Sequence, residues 1–460
     1  MKYVFGLILI LLVAAGGAYV VAGRMTPPQI TIDKPEKFVG TATPLEVTIT
    51  APDAPMMKPL RVVLEQNGKQ TTLFSLEEPG KAQIKQEGTD KVRITHEIGK
   101  QTIPDLQGGA ARIVVTAGRP VMRGIRTLQS TASRDVQVRL ERPRVAVIST
   151  HHYVNLGGTE MVVYRATPED VESGVVVGDV EYPGYPAAGA TVDGVKIGDP
   201  AIRVAFFALL YDQDVNTPMR VFARDPAGNT ARADFDHRVF PKPFKKSQIP
   251  LDDKFLDRVV PAILEGTTDI RPDGDTLAKF LAINGDLRRK NAEKIASFAK
   301  DTSREMLWRG IVFHPFTNSA VESAFADQRT YTYKGKEVDK QVHLGFDLAR
   351  LAGNPIEAAN RGKVVFADEL GIYGNCVILD HGMGVQSLYA HLSSIEVKAG
   401  QDVEKEQTLG RSGMTGLAGG DHLHFTMLVN GHMVNPVEWW DSHWIEDRIL
   451  RKLRAAGGGS

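Results

Sequence analysis

Residues 4–22 carry no charged side chain, and only Tyr19 among them has a large polar group. At helical rise such a stretch spans about 28 Å, close to the hydrocarbon thickness of a bilayer. The pattern predicts an apolar helix within residues 1–24, stopped by Pro27 and Pro28. Its length favours an uncleaved transmembrane signal-anchor. Small residues at Ala14, Ala15, Gly16, Gly17 and Ala18 also suit a cleaved signal peptide. Lys2 before the span and Arg24 after it orient the helix only weakly. Under either reading the rest of the chain is expected outside the cytoplasm: anchored in the inner membrane, with its bulk in the periplasm or cell-wall space.

Beyond the prolines the apolar period changes to alternation. Leu45-Glu-Val47-Thr-Ile49, Leu60-Arg-Val-Val63-Leu64, Val92-Arg-Ile94, Arg112-Ile-Val-Val115 and Asp135-Val-Gln-Val138 read as short strands separated by turn residues. A second series runs through Arg144-Val-Ala-Val147, Glu160-Met-Val-Val163, Ile202-Arg-Val-Ala-Phe206 and Met219-Arg-Val-Phe222. Ala223-Arg-Asp225-Pro-Ala-Gly228-Asn229 is similar to the closing turn of bacterial immunoglobulin-like modules. Two immunoglobulin-like β-sandwiches are therefore expected, over 28–141 and 143–241. After the basic, proline-punctuated stretch 241–246 the spacing becomes helical, as in Phe255-Leu-Asp-Arg-Val259 and Thr276-Leu-Ala-Lys-Phe280. This predicts a helical connector over 247–310. Short strands and glycine turns return over 311–442, followed by a tail at 443–460. The expected fold class is mainly β.

Composition narrows the function. Lys+Arg and Asp+Glu are both 55, so the formal net charge is zero and nothing points to a nucleic-acid partner. The single cysteine, Cys376, excludes a disulfide framework within the chain and reads as a small buried apolar side chain. Seven of the twelve histidines follow position 340, however. Two spacings among them carry chemistry. His343 and Asp347 lie four apart with Gly345 between them, which predicts side chains on one strand face and room for an ion. His422 and His424 lie two apart, again on one face. Nitrogen and oxygen ligands without thiolates, with a fourth position left open, suit a catalytic rather than a structural zinc.

Four segments resemble, in order, the motifs of lysostaphin-type (LytM-like) zinc metallopeptidases: His343-Leu-Gly-Phe-Asp347, Gly374-Asn-Cys-Val-Ile-Leu-Asp380-His381-Gly through Tyr389-Ala-His391-Leu, Gly410-Arg-Ser-Gly413-Met-Thr-Gly416, and Gly420-Asp-His422-Leu-His424. Val429-Asn-Gly431 and Val434-Asn435-Pro436 fit the family's closing pattern. The resemblance covers about residues 311–440. It implies a compact antiparallel β-sheet domain, one zinc ion held by His343, Asp347 and His424, and catalytic roles for His391 and His422, with His422 preferred as general base. It also implies that the substrate is the peptide cross-links or stems of peptidoglycan. Alternatives are a non-enzymatic wall-binding module or activator of another hydrolase, and a zinc peptidase acting on a protein. The upstream sandwiches would space, recruit a protein regulator, or block the groove. One departure stands out. The family often has Ser-x-Phe-Gly-x-Arg upstream of the first histidine, whereas Ser323-Ala-Phe325-Ala326-Asp-Gln-Arg329 lacks that glycine and adds a residue.

Overall fold

The computed structural model describes every residue except Met1, Asp53, Pro55, Met56, Lys81, 191–194, 309–310 and 459–460, and the side chains of residues 2–4. The first residue of the expected anchor, the end of the expected helical stretch and the end of the tail thus lie outside the described residues. The chain forms two compact units, residues 1–143 with 224–230, and residues 144–223 with 231–460.

The first unit opens with the helix Lys2–Gly23, which is long and apolar enough to cross a membrane and whose apolar window is only 6% buried. Two sheets follow, antiparallel except for the parallel pairing of Phe38–Val39 with Arg126–Val138. One orders the strands Gln29–Lys34, Thr43–Thr50, Lys91–Ile98 and Gln83–Gln86. The other orders Phe38–Val39, Arg126–Val138, Gly109–Val121, Leu60–Gln66 and Lys69–Ser75. Alternation decides which face is buried. Leu45, Val47 and Ile49 of the first sheet meet Val62, Leu64, Ile113 and Val115 of the second in one core.

In the second unit, residues 144–223 and 231–240 again form strands in two four-stranded sheets, with a parallel pair His152–Asn155 and His237–Phe240. The larger part is an eight-stranded sheet whose centre is Leu423–Val429, Val385–Leu392 and Asn375–Gly382. Every residue but Asn375 in these three strands is buried. Alternation is therefore absent, as expected for strands covered on both faces. One face is covered by the helices Asp253–Gly266, Thr276–Ala282 and Arg288–Ser297. Their Leu256, Val260, Phe280 and Ile295, with Leu287 from the turn between the last two, pack on Cys376, Ile378, Leu388 and Leu428. Asp252 and Asp275 cap the first two of these helices by accepting the Phe255 and Ala278 backbone N–H groups. This helical stretch is a packed layer of the sheet, because its periodic apolar stripe has to be buried. The strand Lys246–Leu251 before it pairs in parallel with Asp327–Tyr333.

The opposite face shares one core with the preceding two-sheet region, in which Phe206 meets Trp439 at 5.9 Å between ring centroids. Polar contacts cross the same boundary. Glu438 accepts from Asn155 Nδ2 and from the Thr159 N–H, both at 2.7 Å. Lys452 donates to Glu160 Oε1 at 2.8 Å, and both side chains are buried. A Cβ on Gly158 would stand 2.3 Å from Glu438 Oε1, so a side chain there would displace the carboxylate from its two donors.

Candidate metal centre and active site

His343 ends the strand Lys336–His343, in a three-stranded sheet, while Asp347 lies on Phe346–Ala349 in the eight-stranded sheet. The two side chains converge across a break at Leu344–Gly345, rather than along one continuous strand face. Gly345 does not leave space for an ion. A Cβ there would lie 2.5 Å from His424 Cε1 and Nε2, so the missing side chain makes room for the imidazole. His424 is directly opposite Asp347 in the sheet ladder. His422 is held one residue before its strand by a bridge to Gly413.

Three atoms meet in a tight triangle. His343 Nε2 is 2.9 Å from Asp347 Oδ1 and 3.0 Å from His424 Nδ1, and His424 Nδ1 is 3.0 Å from Asp347 Oδ1. These separations approach the roughly 3.3 Å edge of a tetrahedron with bonds of about 2.0–2.1 Å. The hydrogen bonds around them support a cation. His343 Nδ1 faces the Ala324 carbonyl at 3.1 Å, which can only accept, so in the neutral ring the Nε2 lone pair points at the carboxylate. The far nitrogen of His424, Nε2, is buried with no hydrogen-bond partner. The His343 Nε2 lone pair and the carboxylate oxygen, 2.9 Å apart, repel unless a positive charge lies between them. The donor set therefore fits a divalent metal ion.

His391 and His422 flank this triangle, with ring centroids 4.9 Å apart. His391 Nδ1 donates to the Thr415 carbonyl and His422 Nδ1 to the Gly420 carbonyl, each at 2.8 Å. Each ring therefore turns Nε2 away from its backbone anchor, and His422 Nε2 lies 3.5 Å from Asp347 Oδ1. His391 has φ +64°, an uncommon left-handed conformation for a non-glycine residue and the kind of local strain that gathers at functional sites. A Cβ on Gly413 would sit 2.9 Å from the His391 carbonyl oxygen, so the glycine turn permits that close approach.

Electrostatics divides the five groups. Burial opposes the charge of Asp347, yet His343, His422 and His424 together hold its carboxyl well below the usual carboxylate range. Burial holds His391 well below the ordinary imidazole value and lowers His424 to about 4, so both rings are neutral at neutral pH. His422 is raised: hydrogen bonding and charge from Asp347 outweigh burial.

Arg329 is a residue whose role the sequence pattern left open. Its Nη2 donates to Asp347 Oδ2 at 3.0 Å and to Ser323 Oγ at 2.8 Å, leaving Asp347 Oδ1 for the metal triangle. Ser323 Oγ also stands 3.2 Å from His343 Nδ1. The sequence signal was the Ser323-to-Arg329 segment itself. Ala326, in the place of the family's glycine, has φ +61°. Tyr331 is buried and lines the cleft beside Arg329. His381 is a core residue bound to the Arg361 carbonyl and Ser387 Oγ, both at 2.7 Å.

All five groups open into a cleft of about 160 Å³ whose helical wall includes Arg288 and Ala292. A neighbouring cleft of about 420 Å³ shares Arg329, Tyr331, Leu417 and Gly419 with it, and together they make a groove. Among the described residues, none of those lining either cleft comes from 144–241.

With this arrangement in place, residues 341–436 match the model of peptidase family M23. The C-terminal domain is a peptidase family M23 domain. Over 97 residues the chain is 40% identical to the DD-carboxypeptidase/endopeptidase Mpg of Neisseria meningitidis, covering 21% of this chain and 22% of that protein. Over 167 residues it is 30% identical to the peptidoglycan DD-endopeptidase ShyA of Vibrio cholerae, covering 36% and 35% of the two chains. The catalytic domain of lysostaphin from Staphylococcus simulans aligns at 28% identity with a TM-score of 0.24, over 27% of this chain and 92% of that one. The chain thus spans between about a fifth and a third of the length of the two curated relatives named. The M23 match includes His343, Asp347, His391, His422 and His424, and begins after the Ser323-to-Arg329 network.

Proposed function

We propose that the chain is a zinc-dependent endopeptidase that hydrolyses peptide bonds in the cross-links or stems of peptidoglycan. The observation that carries this reading is the convergence of five side chains in one cleft: His343, Asp347 and His424 in the triangle, His391 and His422 beside it. The names of the relatives, DD-endopeptidases of peptidoglycan, support the substrate class. Zinc in the triangle would polarise the scissile carbonyl and bring a water molecule's pKa toward neutrality.

The protein's own groups do the rest. His422 Nε2, with Nδ1 fixed on Gly420, takes the proton from the attacking water and returns it to the leaving amine. His391, neutral and fixed on Thr415, offers a second Nε2 to orient that water or to stabilise the developing oxyanion. Arg329 holds the Asp347 carboxylate by its outer oxygen. The groove admits an extended peptide, with the helices over 253–297 forming one wall. In this reading the helix Lys2–Gly23 anchors the chain in the inner membrane, with the catalytic domain on the cell-wall side.

Digestion of purified sacculi, with fragments identified by mass, is the test. New amine and carboxyl ends at stem peptides are expected from zinc-loaded protein, disappearing with chelator and returning with zinc. Intact muropeptides from zinc-loaded protein would sink the proposal.

A further inference from the structure

The first unit places an apolar, basic hairpin tip against the end of the apolar helix. The long strands Gly109–Val121 and Arg126–Val138 are joined through Met122-Arg-Gly-Ile125, where Met122, Arg123 and Gly124 all have positive φ, at +51°, +55° and +87°. Two non-glycine residues in that conformation, Met122 and Arg123, are a local cost at the apex. Met122 is 41% exposed and Ile125 52% exposed. From Gly118 to Gln129 the chain has three arginines, Arg119, Arg123 and Arg126, and no carboxylate.

The same hairpin touches the helix. Ala22 is fully buried against Val121 and Leu128. The Arg126 guanidinium lies 4.7 Å from the centre of the Tyr19 ring, and Arg119 donates to the Thr26 carbonyl at 3.0 Å. The leash is short as well. Five residues separate Gly23 from the strand beginning at Gln29, and five residues reach at most about 18 Å. If the helix crosses a bilayer, the end of the sheet carrying this hairpin sits at the bilayer surface. Tyr19 and Arg24 then lie at the depth where aromatic and basic side chains collect.

From this geometry we infer that the 119–128 hairpin is a membrane-seating element: Met122 and Ile125 enter the headgroup region, and Arg123 meets anionic phospholipid headgroups. Apolar side chains flanked by arginines match the chemistry of that interface, where apolar burial and attraction to anionic lipid act together. The seat would fix the first two-sheet region on the bilayer rather than leave it hanging from a flexible tether. The inference rests on the helix crossing the membrane, and the test separates the two ideas.

The full chain is reconstituted in vesicles of phosphatidylcholine and phosphatidylglycerol. A polarity-sensitive fluorophore is attached at Ile125→Cys, and in separate preparations at Val20→Cys and Asn67→Cys. The natural thiol, Cys376, is fully buried and stays unlabelled. Asn67 lies in the turn between Leu60–Gln66 and Lys69–Ser75, where Glu65 pairs with Arg112, at the other end of the same sheet from the apex. Nitroxide-bearing lipid is expected to quench the labels at 20 and 125 and to spare the one at 67. Quenching at 20 with a water-like signal at 125 overturns the seat and leaves the anchor standing. No quenching at 20 or 125 overturns both. Arg123→Glu is expected to lower quenching at 125 about twofold, and an unchanged signal refutes the headgroup contact.

Discussion

Glu438 gives the sharpest test of the energetics. Its carboxyl is buried at the boundary between the two-sheet region and the peptidase domain. Burial pushes it up from 4.5 to about 7, against the two hydrogen bonds from Asn155 and Thr159, and the nearby Glu160 adds to the rise. A raised acid makes the folded state hold a proton that the unfolded chain has already lost. Stability therefore falls as pH rises from 4.5 to about 7, and is flat on either side. At 1.36 kcal/mol for each pH unit of the window, the loss is about 3 kcal/mol.

Glu438→Gln removes the titration, at the cost of about 1–3 kcal/mol for one acceptor replaced by a donor. The assay is urea unfolding in detergent, followed by tryptophan fluorescence. All four tryptophans, Trp308, Trp439, Trp440 and Trp444, belong to the second unit, so the signal reports that unit alone. The stability of the natural protein minus that of the variant is expected to fall by about 3 kcal/mol between pH 4.5 and 7.5. Titrating groups that do not interact with Glu438 cancel in the difference. A difference independent of pH refutes the buried-carboxyl argument.

Three further outcomes follow from the site. In His422→Ala, metal content should be unchanged while kcat drops by about 10²–10⁴; loss of the metal in elemental analysis would contradict the division of roles. Arg329→Met should weaken metal affinity about 10- to 100-fold in a chelator competition, because Asp347 loses its hold on Oδ2. Equal affinity would show that the arginine does not position the ligand. Ala326→Gly should raise the urea midpoint, with a gain of up to about 1 kcal/mol from relief of the left-handed backbone, and a lowered midpoint would count against strain at φ +61°.

The chemistry was more legible in the sequence than the architecture around it. His343, Asp347, His391, His422 and His424 stood out by short-range spacing and glycine context, while the sheet register brings their three segments together. Gly345 makes room for the His424 ring, not for an ion as its spacing suggests. Pairing of Asp347 with His424 across strands 77 residues apart in sequence sets the space at that glycine, and no local pattern displays such pairing. Arg329 was visible as a motif letter without a role, since its partners Ser323 and Asp347 are fixed only by the sheet register. The helices over 253–297 were readable as helices from their period. Periodicity names a face that must be buried, but not the surface that buries it. Cys376 and Leu388, which receive them, carry no mark of that partnership.

The shared core of the second unit also bears on how the chain can be divided. Many catalytic domains can be cut out at a linker and used alone. Here a cut near residue 300 would strip the helical layer from one face of the central sheet and the two-sheet region from the other. It would leave Trp439 without Phe206, Lys452 without Glu160, and the Glu438 carboxyl without either donor. An excised fragment would then lose activity by failing to hold its sheet, whether or not an inhibitor had been removed with the rest. Constraints of this kind act on inheritance as well as on the bench, because recombination at that boundary would separate partners that are stable only together. The M23 domain and the β-region before it are thus packed as one piece, and the fold of either leans on the other.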